Sequence, residues 1–478
     1  MLNTRDCEKS RSALRRFDIF CWRWISSLGK FTTMKSAFRS KSRQEFSRRQ
    51  FLATAAAAIA LPTFIPASAL GRAGRPGPSD RIVVGIVGWG MMGPGNTSGL
   101  MSQNDCQVVA ACDLDKGPLQ KAVDQINKKA GNTDCKAYSD YREMIARDDI
   151  DAVMLAIPDH WHAISSIDCA NRKKHIYGEK PLARTIVEQQ AIVRAVQKNK
   201  VTWQTGSWQR SRENFHKAAE IVRNGLIGKV KHVEVGLPGG HNDFKGTKDK
   251  MQPAEPPAGF DYDRWVGPSQ MIPYIEGRVH MNWRWNYNFG GGQLIDWVGH
   301  HCDIAHWGLD FDDVGPTEIE GQGEFPPRDA VWNTATKYRI NFKYPKNVTM
   351  TMAGGHNDIK MGTKWVGEDG WVWVDRGGFD ASNAEWKTWK AVPDNLRKVK
   401  LTESSDHYRN FLDCIKSGKP TITPVEVAHN SVVPGHLGLI AMMVGRKIKW
   451  DAKKGRIIGD DEASKLLTRE YRAPYKLG

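Results

Sequence analysis

None of the eight cysteines, at 7, 21, 106, 112, 135, 169, 302 and 414, stands in a Cys-x-x-Cys pair or at a metal-finger spacing. That removes both a finger and a disulfide framework, and leaves them as small buried hydrophobes. Beyond residue 70 no stretch gives 18 consecutive apolar residues, so no membrane span is expected in the mature chain. Basic runs interleaved with aromatics are also missing. The net charge of +16 does not replace them, because residues 1–69 hold 13 Lys/Arg against 4 Asp/Glu, so nine of those charges lie there and +7 remains for the rest. A nucleic-acid partner is therefore not expected. What is present is 478 residues, 40% hydrophobic and 26% charged, with 18 tryptophans: a packed chain of two or three domains.

Residues 1–69 read as a leader. Ser47-Arg48-Arg49-Gln50-Phe51-Leu52 is a paired-arginine segment, followed by the apolar stretch 53–65 and the small-residue run Ala67-Ser68-Ala69. This pattern resembles a twin-arginine export signal with a cleavage site, and implies a periplasmic or exported protein. The apolar stretch is interrupted by Pro62 and is short for a bilayer anchor. Met34 offers a start that would give a leader of ordinary length. Residues 70–80, rich in glycine and proline, read as a linker.

The apolar, β-branched run Ile82 to Val87 leads into Gly88-Trp89-Gly90-Met91-Met92-Gly93. Such a strand, glycine turn and helix can hold a pyrophosphate, the first glycine making the turn, the second admitting the ligand, the third letting the helix pack close. The strand Val108 to Cys112 ends at Asp113, 20 residues after Gly93. A carboxylate there accepts from a ribose diol and repels a 2′-phosphate, favouring NAD over NADP. The alternation continues with a helix over Lys116 to Lys129, a strand over Ala152 to Ile157, a helix from about His162, a strand over His175 to Tyr177 and a helix over Thr185 to Gln197. It predicts a doubly wound parallel sheet over 81–206, with ligands at the carboxyl ends of the strands. Pro158-Asp159-His160-Trp161-His162 and Glu179-Lys180-Pro181 fall at two of those ends.

Together with Gly290-Gly291-Gly292-Gln293-Leu294-Ile295-Asp296-Trp297-Val298-Gly299-His300, these motifs resemble, in order, the glucose–fructose oxidoreductase/inositol dehydrogenase/rhizopine-catabolism (Gfo/Idh/MocA) family. The resemblance runs from about Arg81 to the end. It implies an α/β protein in which a Rossmann domain is followed, over 207–478, by an α/β domain on a largely antiparallel open sheet. It also implies a homo-oligomer acting on sugar-like polyols. Carried over by motif, Lys180, Asp296 and His300 are the catalytic set. The chemistry agrees: a carbinol losing hydride needs a base, which His300 supplies, and a cationic donor at its oxygen, which Lys180 supplies. Asp296, one helical turn from His300, is expected to orient the imidazole or the sugar hydroxyls.

The expected cofactor contacts are Gly88, Trp89, Gly90, Met91, Met92, Gly93, Asp113, Pro158, Asp159, His162, Glu179, Lys180, Gln209 and Arg210. The expected substrate contacts are His160, Trp283, Arg284, Trp285, Asp296 and His300, since aromatic faces and amide or cationic donors suit sugars. His300-His301-Cys302-Asp303-Ile304-Ala305-His306 could suggest a metal site, but adjacent histidines point apart on a helix, so no metal is expected. Strands are expected over Thr336 to Phe342, Val348 to Met352 and Trp371 to Val374, and helices over His407 to Ile415 and Val425 to Val444, with Pro434 kinking the last. The functional expectation is an exported oxidoreductase that transfers hydride between a sugar or glycoside hydroxyl, the resemblance pointing to the 3-position, and a tightly held NAD. The alternatives are a glycosidase-like cycle of oxidation, elimination and reduction on bound NAD, and a non-catalytic sugar-binding protein.

Overall fold

The structure, a computed structural model, describes Gly77, residues 80–241 and residues 247–478. The expected leader and nearly all of the expected linker lie outside the described residues.

The N-terminal half alternates strand and helix: β1 Ile82–Val87, α1 Gly93–Met101, β2 Cys106–Cys112, α2 Lys116–Ala130, β3 Lys136–Tyr138, α3 Tyr141–Ile145, β4 Ala152–Leu155, α4 Asp159–Asn171, β5 His175–Gly178, α5 Ile186–Asn199 and β6 Trp203–Thr205. The strands form one parallel sheet in the order β3-β2-β1-β4-β5-β6. All four residues of β4 are buried, as are both Val84 and Ile86 of β1, because helices cover both faces. The order in which strands join the sheet reverses between β1 and β4, whose chains run parallel, and that switch opens a crevice at their carboxyl ends. Helix starts follow side-chain caps: Asp115 accepts from the Gly117 N–H ahead of α2, and Thr185 from the Glu188 N–H ahead of α5.

One boundary differs from expectation. Helix α4 begins at Asp159, not near His162, because Pro158 in extended conformation serves as its N-cap. Asp159, His160, Trp161 and His162 therefore form a first helical turn that faces inward, and all four are buried.

The second half holds α6 Glu213–Arg223, β7 Val230–Leu237, α7 Tyr262–Val266, α8 Gly292–Leu309, β8 Glu318–Glu324, β9 Lys337–Lys343, β10 Thr349–Gly354, β11 Gly362–Gly367, β12 Trp371–Asp375, β13 Gly378–Ala381, α9 Ala384–Thr388, α10 His407–Ser417, α11 Val425–Val444, β14 Ile448–Asp451, β15 Arg456–Ile457 and α12 Asp461–Lys465. Its sheet runs β13-β12-β11-β7-β10-β9-β8-β14-β15, antiparallel except where β10 pairs with β7. Alternate residues Tyr338, Ile340 and Phe342 of β9 point to a core shared with Val298 and Cys302 of α8 and Leu437 and Ile440 of α11. Helix α11 runs on through Pro434. It is the one described helix long and apolar enough to cross a membrane, and it is largely buried here inside the protein.

The chain then returns to the first sheet twice. Phe411 and Leu412 of α10 join Val84, Ile86 and Tyr177 in one core, and Arg409 ion-pairs with Asp105 at 2.6 Å. From the C-terminal tail, Arg469 pairs with Glu188 at 2.7 Å and donates to the His160 carbonyl at 2.8 Å, while the Tyr475 ring meets Trp161 edge-on at 5.4 Å.

Candidate active site

The glycine turn separates what the fold needs from what a ligand needs. Gly88 has φ +90°, and a Cβ there would fall 2.3 Å from the Ala156 carbonyl oxygen. A Cβ on Gly93 would fall 2.3 Å from the Gly88 carbonyl oxygen. Gly90 is different, since a Cβ there meets no protein atom within 4 Å, so internal packing does not explain it. Gly90 lines a cavity of about 400 Å³. The adjoining start of α1 has no side-chain cap, which leaves its leading N–H groups for an anion. Asp113 braces the turn by accepting from the Trp89 N–H at 2.8 Å and the Asp115 N–H at 3.0 Å, and it too lines the cavity. These residues fit a dinucleotide. Gly90→Ala is expected to keep the wild-type thermal midpoint yet weaken nucleotide binding by at least about tenfold, whereas Gly88→Ala is expected not to fold. Calorimetric titration with NAD and a melting curve check both; equal affinity in the Gly90 variant would refute the cradle.

Met91, Met92, Pro158, Glu179, Lys180, Trp283 and Arg284 line the same cavity. Glu179 is held by the Asn96 amide at 2.7 Å on Oε1, while its buried Oε2 has no partner. Burial raises its pKa. Gly206 makes room for it, because a Cβ there would land 2.4 Å from Oε1.

Asp296 collects the charges. Its Oδ1 accepts from Lys180 Nζ at 2.7 Å and from Arg284 Nε at 3.2 Å. Burial alone would raise this carboxyl, but Lys180 and Arg284 outweigh it and hold its pKa down. The group stays a carboxylate with Lys180 anchored on it. No hydrogen bond joins Asp296 to the His300 ring, so the expectation that Asp296 orients the imidazole is corrected: it orients the ammonium. His300 is buried, its Nδ1 unpartnered, and the Trp297 ring lies edge-on at 5.5 Å. Burial, with Lys180 and Arg376 adding to it, pushes its pKa well below the usual imidazole range. The ring is therefore neutral at neutral pH, the form that accepts a proton. Asp159, buried beside this group with Oδ1 unpartnered, is pushed up to about 7 by burial and then by the Asp296 charge.

Several expected contacts lie elsewhere. His160 is fully enclosed between Trp265 and Phe289, with Nε2 on the Trp265 carbonyl at 2.7 Å, and does not reach a substrate. His162 places Nδ1 on the Pro181 carbonyl at 2.6 Å and Nε2 on the Ile157 carbonyl at 2.9 Å, tying β4 to the Lys180 turn. Trp285 packs in the core against Trp332. Gln209 is buried and donates to the His300 carbonyl at 3.2 Å, supporting α8 from behind. Arg210 gives Nε, Nη1 and Nη2 to Asp303 and Asp312 at 2.7 to 2.9 Å, so its donors are not free for a cofactor. His429 and His436, which carried no assigned role, bond Gln189 and the Ala183 carbonyl.

Sequence reasoning missed Trp297 and Arg376. Gln293, Asp296, Trp297 and His300 follow the helical i, i+3, i+4, i+7 stripe of α8, and that period was the available signal. Arg376 sits on the β12–β13 turn with its guanidinium 4.5 Å from the Trp297 ring centre.

Residues 82–207 match the oxidoreductase family with an NAD-binding Rossmann fold, and residues 212–477 match that family's C-terminal alpha/beta domain. The chain is 30% identical over 146 residues to a myo-inositol 2-dehydrogenase of Thermotoga maritima, covering 30% of this chain and 42% of that protein. It is 31% identical over 158 residues to a glycosyl hydrolase family 109 protein of Shewanella woodyi, covering 32% and 33%. These alignments span less than half the length of either relative. Among solved structures, myo-inositol 2-dehydrogenase from Lactobacillus plantarum superposes with a TM-score of 0.55 at 17% identity, over 78% of this chain and all of the other. That likeness is one of fold.

Proposed function

Since the chain belongs to the Gfo/Idh/MocA oxidoreductase family, we propose that it oxidises or reduces a hydroxyl of a sugar or glycoside, with His300 as base and NAD as the retained partner. The supporting observation is the 2.7 Å contact between Lys180 of the first sheet's strand end and Asp296 of α8. It brings together residues 116 apart in sequence, on the same helix as His300 and at the edge of the cavity that Gly90 opens.

Bound nicotinamide supplies the hydride acceptor. The protein supplies the rest. Lys180 donates to the reacting oxygen and favours its negative charge, while Asp296 fixes the ammonium by accepting a hydrogen bond from one of its three N–H groups. The neutral imidazole of His300 takes the hydroxyl proton as the carbonyl forms. Asp113 favours NAD over NADP, since a 2′-phosphate would meet its carboxylate. The paired-arginine leader supports export of the folded protein, and a compartment without a nicotinamide pool requires a cofactor loaded beforehand and retained.

Purification without added nucleotide, followed by a panel of mono- and disaccharides while nicotinamide absorbance is recorded, tests this directly. Bound NAD that becomes reduced with a sugar is expected, and His300→Ala is expected to slow that reduction by about 10²–10⁴-fold. Folded protein that carries no nucleotide would refute retention. A second reading is favoured by the match to the glycosyl hydrolase family 109 protein: transient oxidation, elimination and return of hydride. Sugar release with no net change in absorbance selects it.

A further inference from the structure

Beyond the nucleotide cavity the site has a second charged wall. Two guanidinium groups lie over the Trp208 ring, Arg212 at 4.8 Å and Arg376 at 4.7 Å from its centre. Arg376 lies over Trp297 as well, at 4.5 Å, which sets it against the helix that carries Asp296 and His300. Neither arginine lines the cavity of the glycine turn, so neither belongs to the nucleotide phosphates.

Two like charges gathered on one indole offer a site for an anion. Among the described residues neither guanidinium has a carboxylate within ion-pairing distance; Arg376 spends only Nε, on Gln209 Oε1 at 3.0 Å. The nearest acid in sequence, Asp375, faces His301 Nε2 at 3.5 Å instead. By contrast, Arg210 takes both Asp303 and Asp312, and Arg284 takes Asp296. The partner of the Arg212–Arg376 pair is thus not supplied by the described protein, and guanidinium forks suit flat or tetrahedral oxyanions.

We propose that Arg212 and Arg376 bind an anionic substituent of the sugar, a carboxylate or a phosphate, so that the substrate is an acidic sugar derivative. This rests on the dehydrogenase reading above and adds the substrate's charge to it. Both arginines are exposed and so open to a ligand, while the half-buried rings of Trp208 and Trp297 hold their guanidinium groups beside the helix of Asp296 and His300.

The test compares three ligands of one stereochemistry, a glucoside, the matching glucuronide and the glucoside 6-phosphate, by reduction of bound nicotinamide in the full-length protein. The ratio of kcat/KM for anionic over neutral substrate is expected to exceed about ten, to fall at least about tenfold in R212A and in R376A, and to recover partly in R376K. A merely structural brace would lower both substrates alike and leave the ratio unmoved. A neutral glucoside used as well as both anions overturns the proposal while leaving the dehydrogenase reading intact. Thermal stabilisation by free glucuronate or glucose 6-phosphate, compared with glucose, is read on the same proteins. Stabilisation by an anion that both alanine variants lose supports the site even if none of the three is turned over, a result that would count against the dehydrogenase reading alone; equal shifts with glucose overturn it. The uronate and phosphate arms identify which anion is bound.

Discussion

Lys180→Ala is expected to lower turnover of bound nicotinamide by about a thousandfold while the protein stays folded. The ammonium touches Asp296 at 2.7 Å, and both side chains are nearly buried, at 8% and 13% exposure. Removing it takes the cationic donor away from the reacting oxygen, a loss of the size seen when a preorganised donor is deleted. Asp296 keeps Arg284 at 3.2 Å, so the carboxylate is not stranded and the fold survives. Its pKa nevertheless climbs, because the largest opposing charge to burial has gone. The variant should therefore lose residual activity at a higher pH, as pH falls, than the wild type does. Single-turnover reduction across pH, beside a melting curve, measures both effects. A rate within fivefold of wild type would remove Lys180 from the chemistry.

Arg210→Ala is expected to cost about 3–5 kcal/mol of stability, the range for breaking a buried charge network by deleting one partner. Two carboxylates converge on this guanidinium, and the side chains of Arg210 and Asp303 are 3% and 1% exposed. Asp303 is already pushed up to about 6 by burial with Arg210 in place. Without the guanidinium it rises further. A carboxyl whose folded pKa exceeds its unfolded one costs stability as pH climbs from the unfolded value through the folded one, because only the unfolded chain releases the proton freely. The defect should be smaller at pH 5 than at pH 8. Urea unfolding at the two pH values tests this; a loss under about 1 kcal/mol at both would show that the triad is not a structural anchor.

The contrast between Arg210 and Gly90 shows what could be read from residues in order. The glycine turn is local: strand, turn and helix lie within about a dozen residues, so spacing carries the chemistry, and β1 and α11 fall where the periodicity puts them. Arg210 follows the same kind of motif logic, yet its fate is decided by acids 93 and 102 residues away, whose proximity no local pattern records. Pro158 lines the cavity as expected, but His160 and His162 depart from expectation for a related reason. The segment's residue types suit a ligand loop, but the proline cap starts a helix there and turns His160 into a core residue. Trp297 was legible in the helical stripe. Arg376 was not, because a hairpin turn carries no period that points toward a distant helix.

The path of the C-terminal third has one further effect. Arg409 and Lys416 from α10 both seize Asp105, and the final residues lock onto Glu188 and Trp161, so the nucleotide-holding sheet is tied on both of its faces by chain from the second half. The two halves cannot swing apart like jaws without tearing those seams. Whatever occupies the slot must enter and leave by shifts of its rim, and shortening the chain at its tail would loosen the nucleotide's grip from a place that never touches it.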